Sequence, residues 1–182
     1  TGMVYAIVLI LFLQEKRNVP VTLTSSSNKT SLFKGLGLLF SNMAFWVILF
    51  YFAAPSLPGW ATKNWFPTLF AGSLDMPMKE AGPLSTITLA VSSFIGAVLI
   101  GGPLSDRWVQ KNLKGRIYTS AIGLGLTIPS LILLGYGNSL ITVVGAGVLF
   151  GIGFGMFDAN NMPILCQFVP QKLRATAYGF MN

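Results

Sequence analysis

Long apolar runs broken by short polar stretches make up most of the chain. A membrane-crossing helix needs roughly 20 mostly apolar residues. Runs of that order lie at about 42–72, 82–105, 117–136 and 139–168. A shorter run, 1–13, ends at Gln14-Glu15-Lys16-Arg17, and a last one opens near 171 and stops at Asn182. These two are read as spans cut by the ends of the sequence, so the chain is expected to be a fragment of a longer polytopic protein. Between the first two runs lies a polar linker that includes Thr24-Ser25-Ser26-Ser27-Asn28-Lys29, the composition of a flexible surface loop. The pattern predicts an all-α, polytopic bundle of transmembrane helices.

Composition agrees. Of 182 residues, 53% are hydrophobic and only 9% charged, with a mean hydropathy of +0.67, against about 25% charged in a soluble domain. The chain has no His and a single cysteine, Cys166. A Ser-His-Asp triad, a Cys-His dyad, a His-ligated metal and an intrachain disulfide are thereby excluded, and no enzyme activity is expected. The excess of 12 Lys+Arg over 5 Asp+Glu would suggest nucleic acid in a soluble protein, but its placement says otherwise. Lys16, Arg17, Lys29 and Lys34 precede the second span, Arg107, Lys111, Lys114 and Arg116 follow the third, and Lys172 and Arg174 follow the fifth. Only Lys63 and Lys79 fall on the other side. Such alternation over short loops is the positive-inside pattern. It puts the basic loops in the cytoplasm, makes the lipid bilayer the partner and leaves no nucleic-acid role. Gly147, Gly151 and Gly155 repeat every four residues, as do Ser93, Ala97 and Gly101, the stripes that let helix backbones approach closely in lipid.

The third span closes on GGPLSDRWVQKNLKGR, residues 101–116. This resembles the loop signature of the major facilitator superfamily, Gly-x-Leu-(Ser/Ala/Gly)-Asp-Arg followed by basic residues and Gly-Arg. Gly102, Leu104, Ser105, Asp106 and Arg107 match, and Gly115 and Arg116 match once an insertion of about Val109 to Lys114 is allowed. The resemblance implies the second half of a twelve-helix fold: 1–13 the end of helix six, 14–40 the central cytoplasmic loop, and 41–182 helices seven to ten with the start of eleven. Independently of the family, Asp106 sits at the C-terminal end of a helix, where the macrodipole disfavours a negative charge. It needs a partner: a neighbouring helix N-terminus, Arg107 or Arg116. In the family such a cluster latches helices in one transport state, which makes Gly102, Asp106, Arg107 and Arg116 gating candidates. The alternative is a solvated loop with basic anchors.

Two further stretches resemble one subfamily, the anion:cation symporters. Asn64-Trp65-Phe66-Pro67-Thr68-Leu69-Phe70 is similar to the outer end of their helix seven, and Arg174-Ala175-Thr176-Ala177-Tyr178-Gly179-Phe180-Met181-Asn182 to the start of their helix eleven. Those proteins mostly move sugar acids and other organic anions. The resemblance implies a small-molecule substrate, ion-coupled alternating access with proton or sodium and no further cofactor, a missing N-terminal half, and a bacterial inner (plasma) membrane. A sugar, peptide or drug exporter of the same fold and a transport-inactive receptor or scaffold remain alternatives.

A charge at mid-bilayer costs about 2.5–3.5 kcal/mol or more, so an intramembrane acid is a candidate functional residue. Asp158 is the acid inside a clear span. At 3.6 residues per turn it extends the Gly151–Gly155 sector toward neighbouring helices, with Asn161 at the flank and Asn160 roughly opposite. A turn near Pro170 would set Asp158 and Asn182 at matching heights, some ~18 Å from the turn. Asp158, Asn161 and Asn182 are therefore expected to form a polar cluster, touching substrate or hydrogen-bonding two helices together. Pro55, Pro58, Gly59 and Pro67 predict an interrupted helix. Lys63 follows that break, placed either to attract an anion or to snorkel outward beside Trp60 and Trp65.

Overall fold

In a computed structural model, which describes Gly37 and residues 40–181, the backbone is helical with no strand among the described residues. Helix α1 runs Met43–Leu74. A second long helix has three parts: α2, Met78–Phe94, a π-helical segment, Ile95–Gly101, and α3, Gly102–Lys111. Helix α4 covers Gly115–Tyr136. The next unit is α5, Leu140–Asp158, followed after a two-residue turn by α6, Asn161–Phe168. A 3-10 turn, Gln171–Leu173, leads into α7, Arg174–Met181. Four units are long and apolar enough to cross a membrane, Met43–Leu74, Met78–Lys111, Gly115–Tyr136 and Leu140–Phe168, and they coincide with the four complete apolar runs of the sequence. The runs 1–13 and 14–36 lie outside the described residues.

The helix ends are set by local chemistry. Asn42 caps α1 by accepting from the Ala44 N–H at 3.0 Å. At its other end Asp75 takes a left-handed conformation, φ 48°, and its N–H returns to the Ala71 carbonyl, a C-cap that satisfies an orphan acceptor. Ser139 and Thr142 form a reciprocal capping box at the start of α5, occupying two otherwise free N-terminal donors.

Two expectations from the sequence are corrected. Helix α1 is continuous through Pro55, Pro58 and Pro67. Proline removes one backbone bond and crowds the preceding turn, yet polar side chains sit along the same stretch to bond its carbonyls. Ser56 Oγ donates to Phe52 O at 2.6 Å, Thr62 Oγ1 to Pro58 O at 2.7 Å and Asn64 Nδ2 to Trp60 O at 2.8 Å, each to the carbonyl four residues back; the carbonyls the prolines free, those of Tyr51, Ala54 and Lys63, are not among them. The second correction concerns 101–116, which is not an extended loop: it is helical to Lys111, and the connection is the tight turn Asn112–Lys114. There Asn112 Oδ1 accepts from Lys114 N at 2.9 Å and Asn112 O from Gly115 N at 2.8 Å.

Helix α5 is the hub, packed on α1, α2 and α4. Toward α4 the approach is glycine on glycine: a Cβ at Gly153 would stand 2.5 Å from the Gly123 carbonyl oxygen, and one at Gly123 equally close to Gly153 O. Toward α2 the two small-residue stripes of the sequence meet. Thr88 faces Gly147, Ser92 faces Gly151, and Ser93 and Ala97 face Gly155. Farther along, Gly96 and Gly101 abut Ile152 and Met156, which lie on a different sector of α5. The π segment thus borders two sectors of α5, with Ala97 on the glycine stripe and Gly96 and Gly101 beside it. Between α1 and α5 runs a ladder of aromatic rings. Phe66 meets Phe150, Phe150 stacks on Phe154, Phe154 meets Phe157, and Phe157 meets Phe52, with centroids 5.7–5.8 Å apart. Such spacings favour aromatic contact beyond plain burial.

Candidate functional site

Charged and polar groups converge where α1 and α2 flank α5. Gly59 on α1 has no side chain to obstruct the Phe154 ring, which lies where its Cβ would be. One turn farther, Lys63 Nζ stands 3.8 Å from the Phe154 ring centroid, in cation–π range. The lysine is thus drawn onto the α5 ring rather than snorkelled out beside Trp60 and Trp65, because the aromatic face substitutes for part of the lost hydration. Phe154 is the midpoint of the Leu140–Phe168 span, which puts this contact at the depth where a charge is most costly.

Asp158 follows Phe154 by four residues, about 6 Å along the axis, and forms no ion pair with Lys63 among the described residues. Asn161 Nδ2 donates to Asp158 Oδ1 at 3.1 Å, while the Asn161 Oδ1 is buried without a partner. The structure thus brings together Lys63, Asp158 and Asn161; Asn182 lies outside the described residues. Asp158 is exposed, whereas Asn160, expected to point away, is 1% exposed and donates to Met156 O at 2.9 Å across the α5–α6 turn.

A cleft of about 300 Å³ opens between α1 and α2 beside this cluster, lined by Lys63, Pro67, Ser85, Thr86, Leu89 and Ser93, among others. Phe154 and the cleft hydroxyls were not singled out from the sequence as site residues. The signal was present as the polar positions Ser85, Thr86, Thr88, Ser92 and Ser93 within an apolar span, but small hydroxyl residues there read equally as packing. A larger groove of about 440 Å³ at the other end of α1, bordered by Met43, Val47, Ile48, Tyr51, Ile117 and Ile164, is almost wholly apolar and offers little for binding a polar solute.

At the α3–α4 turn, Arg116 Nη2 donates to Asp106 Oδ1 at 2.7 Å. Of the partners open to Asp106, Arg116 is the one engaged; Arg107 is exposed and makes no ion pair among the described residues. Gly115 makes the contact possible, since a Cβ there would stand 2.5 Å from the Trp108 carbonyl carbon and 2.6 Å from Val109 N. Gly102 sits at the first position of α3, where a Cβ would lie 3.3 Å from Ala97 O. The basic residue opening α7 also has a partner that its role in topology did not predict. Arg174 donates from Nη2 to Cys166 O at 2.8 Å and from Nε to Val169 O at 3.2 Å, neutralising the carbonyl end of α6.

Comparison with known proteins gives one match. The family model described as Major Facilitator Superfamily matches residues 1–182. No curated protein and no solved structure matches the chain.

Proposed function

Since the chain belongs to the major facilitator superfamily of multi-pass membrane transporters, we propose that it moves an organic anion or sugar acid by ion-coupled alternating access, in a bacterial plasma membrane. One observation carries this reading. Lys63 of α1 rests on the Phe154 ring at mid-span, and Asp158 is exposed one helical turn farther along α5. Burying unmatched charges against lipid would be expensive, whereas a polar path closed by a second half of the transporter accommodates them. Lys63 supplies attraction for an anion, and Asp158 supplies a carboxylate able to take up and release a coupling proton.

The Asp106–Arg116 pair then acts as a latch. It ties the cytoplasmic end of the second span to the start of the third, and its breaking accompanies the change of access. Proteoliposomes containing the complete transporter provide the test. Asp158→Asn should lose gradient-driven accumulation while retaining solute exchange. Unchanged uptake with unchanged pH dependence would remove Asp158 from coupling, and the absence of any gradient-driven flux in the parent protein would favour a receptor or scaffold.

A further inference from the structure

We propose that the hairpin of α3 and α4 is a site for an anionic phospholipid of the cytoplasmic leaflet, with one acyl chain in a recess beside Trp108 and Tyr118 and the phosphate at Lys111 and Lys114. The recess, about 470 Å³, is bordered by Trp108 of α3 and by Tyr118, Ala121 and Ile122 of α4, with no polar atom on its wall. Its form follows from a glycine. A Cβ at Gly115 would stand 2.7 Å from the Trp108 Cβ, so the two helices meet closely there and Trp108 is held against α4. Beyond that contact the small side chain of Ala121 leaves a gap between the larger groups on either side. Tyr118, Ala121 and Ile122 are all exposed, so the gap opens outward from the bundle and not into its core.

Charge complementarity identifies the occupant. On α4, Lys114, Tyr118, Ala121 and Ile122 recur at helical spacing and share one face. On α3, Trp108 and Lys111 are three residues apart and neighbours on the helix surface. Both lysines therefore stand at the end of the recess next to the turn, with Lys114 about 12 Å from Ile122 along the axis. Residues 106–116 hold four basic groups and one acid, Asp106, and that acid is engaged by Arg116. Arg107, Lys111 and Lys114 are exposed and make no ion pair among the described residues. A neutral lipid fills the recess and leaves these cations unmatched; a soluble anion matches the cations and leaves the recess empty. A lipid with a net negative headgroup meets both, at the separation that the hairpin sets. Trp and Tyr settle at the headgroup level of a bilayer, and basic groups beside a span attract anionic lipids. The apolar recess turns that general attraction into a seat for one molecule. The site is independent of which solute the transporter moves.

The experiment uses the complete transporter with Trp108 kept as its only tryptophan, Trp46, Trp60 and Trp65 being replaced by Phe, in vesicles of phosphatidylcholine mixed with phosphatidylglycerol. Bromine on the acyl chains of one lipid or the other quenches Trp108 when that lipid occupies the recess. Each lysine near the surface favours an anionic lipid by about fivefold. Brominated phosphatidylglycerol should therefore quench with an apparent affinity about 25-fold above that of brominated phosphatidylcholine. Lys111→Gln combined with Lys114→Gln should remove that preference. Ala121→Phe fills the recess without altering any charge and should release both lipids, whereas Lys79→Gln, on the opposite side of the membrane, should change neither. Native mass spectrometry of the protein with all its tryptophans should show one phosphatidylglycerol retained, and lost in the same two recess variants. Equal quenching by the two lipids overturns the site. So does an undiminished preference in folded Lys111→Gln/Lys114→Gln protein, or in Ala121→Phe, where attraction to a basic surface would suffice. Displacement of the lipid by soluble glycerol phosphate also overturns it, because the anion alone would then be the ligand.

Discussion

Replacing Gly153 with Ala adds one methyl group where α4 and α5 meet glycine on glycine, and the outcome can be worked from the contact itself. The new Cβ would sit 2.5 Å from Gly123 O, 3.1 Å from Leu126 Cβ and 3.3 Å from Thr127 Cγ2, where ordinary contact begins near 3.4 Å. Relieving the oxygen contact needs about 0.9 Å of separation (3.4 − 2.5) between α4 and α5. The neighbouring atom is backbone, so no rotamer change can absorb it. Overpacking of this kind costs about 1–3 kcal/mol, which for a chain of this size lowers the melting temperature by about 2–12 °C. Gly125→Ala and Gly145→Ala are matched controls on the same two helices, with nothing within 4 Å of either Cβ; they should be neutral or stabilise by about 0.4–1 kcal/mol. Intrinsic tryptophan fluorescence of the purified protein during heating reads all three. Gly123→Ala should resemble Gly153→Ala, and the double variant should cost less than their sum, because the helices separate only once. If Gly153→Ala melts with Gly125→Ala, the glycine–glycine approach does not hold the bundle.

Two other substitutions test the membrane-end contacts. Asp106→Asn removes the ion pair with Arg116, whose partners are partly exposed, so the stability loss should stay below about 1 kcal/mol; if the pair is a latch, the ratio of inward- to outward-open protein, read by spin-label distances across the two ends, should shift well beyond what that small loss explains. Arg174→Met removes both bonds to the α6 carbonyls and should destabilise by about 1.5–3 kcal/mol, seen as earlier hydrogen exchange in α6 and α7; Arg174→Lys, which lacks the planar fork, should recover only part of it.

The spans were legible because lipid imposes a length and a polarity that any apolar run must meet. The motif around Asp106 and Arg116 was legible too, since opposite charges at a tight helix–helix turn have few other partners. What sequence could not reveal was crossing geometry. Periodicity places Asp158 in the same sector as Gly151 and Gly155, and that placement holds; whether a neighbour covers the sector depends on the angle at which α2 passes, which no single helix records. The burial of Asn160 was not legible either. Its burial follows from the α5–α6 turn at Ala159 and Asn160, and a run of apolar residues with one Asp and two Asn gives no warning of a break there. Conversely, the prolines of α1 promised an interruption, yet the helix runs unbroken from Met43 to Leu74. Phe154 illustrates a third limit: a phenylalanine among many becomes a lysine's partner only through a glycine, Gly59, on another helix.

The π segment Ile95–Gly101 has a consequence for how this chain tolerates length changes. A π turn accommodates a surplus residue relative to an α-helix. Losing one residue there would restore ordinary α hydrogen bonding and so relax the local backbone. It would also rotate all that follows by about 100°, swinging Asp106 away from Arg116 and Gly101 away from Met156. The widened turn thus works as a phase adjuster, letting one continuous helix present Thr88 and Ser92 to α5 before it and a carboxylate to Arg116 of α4 after it.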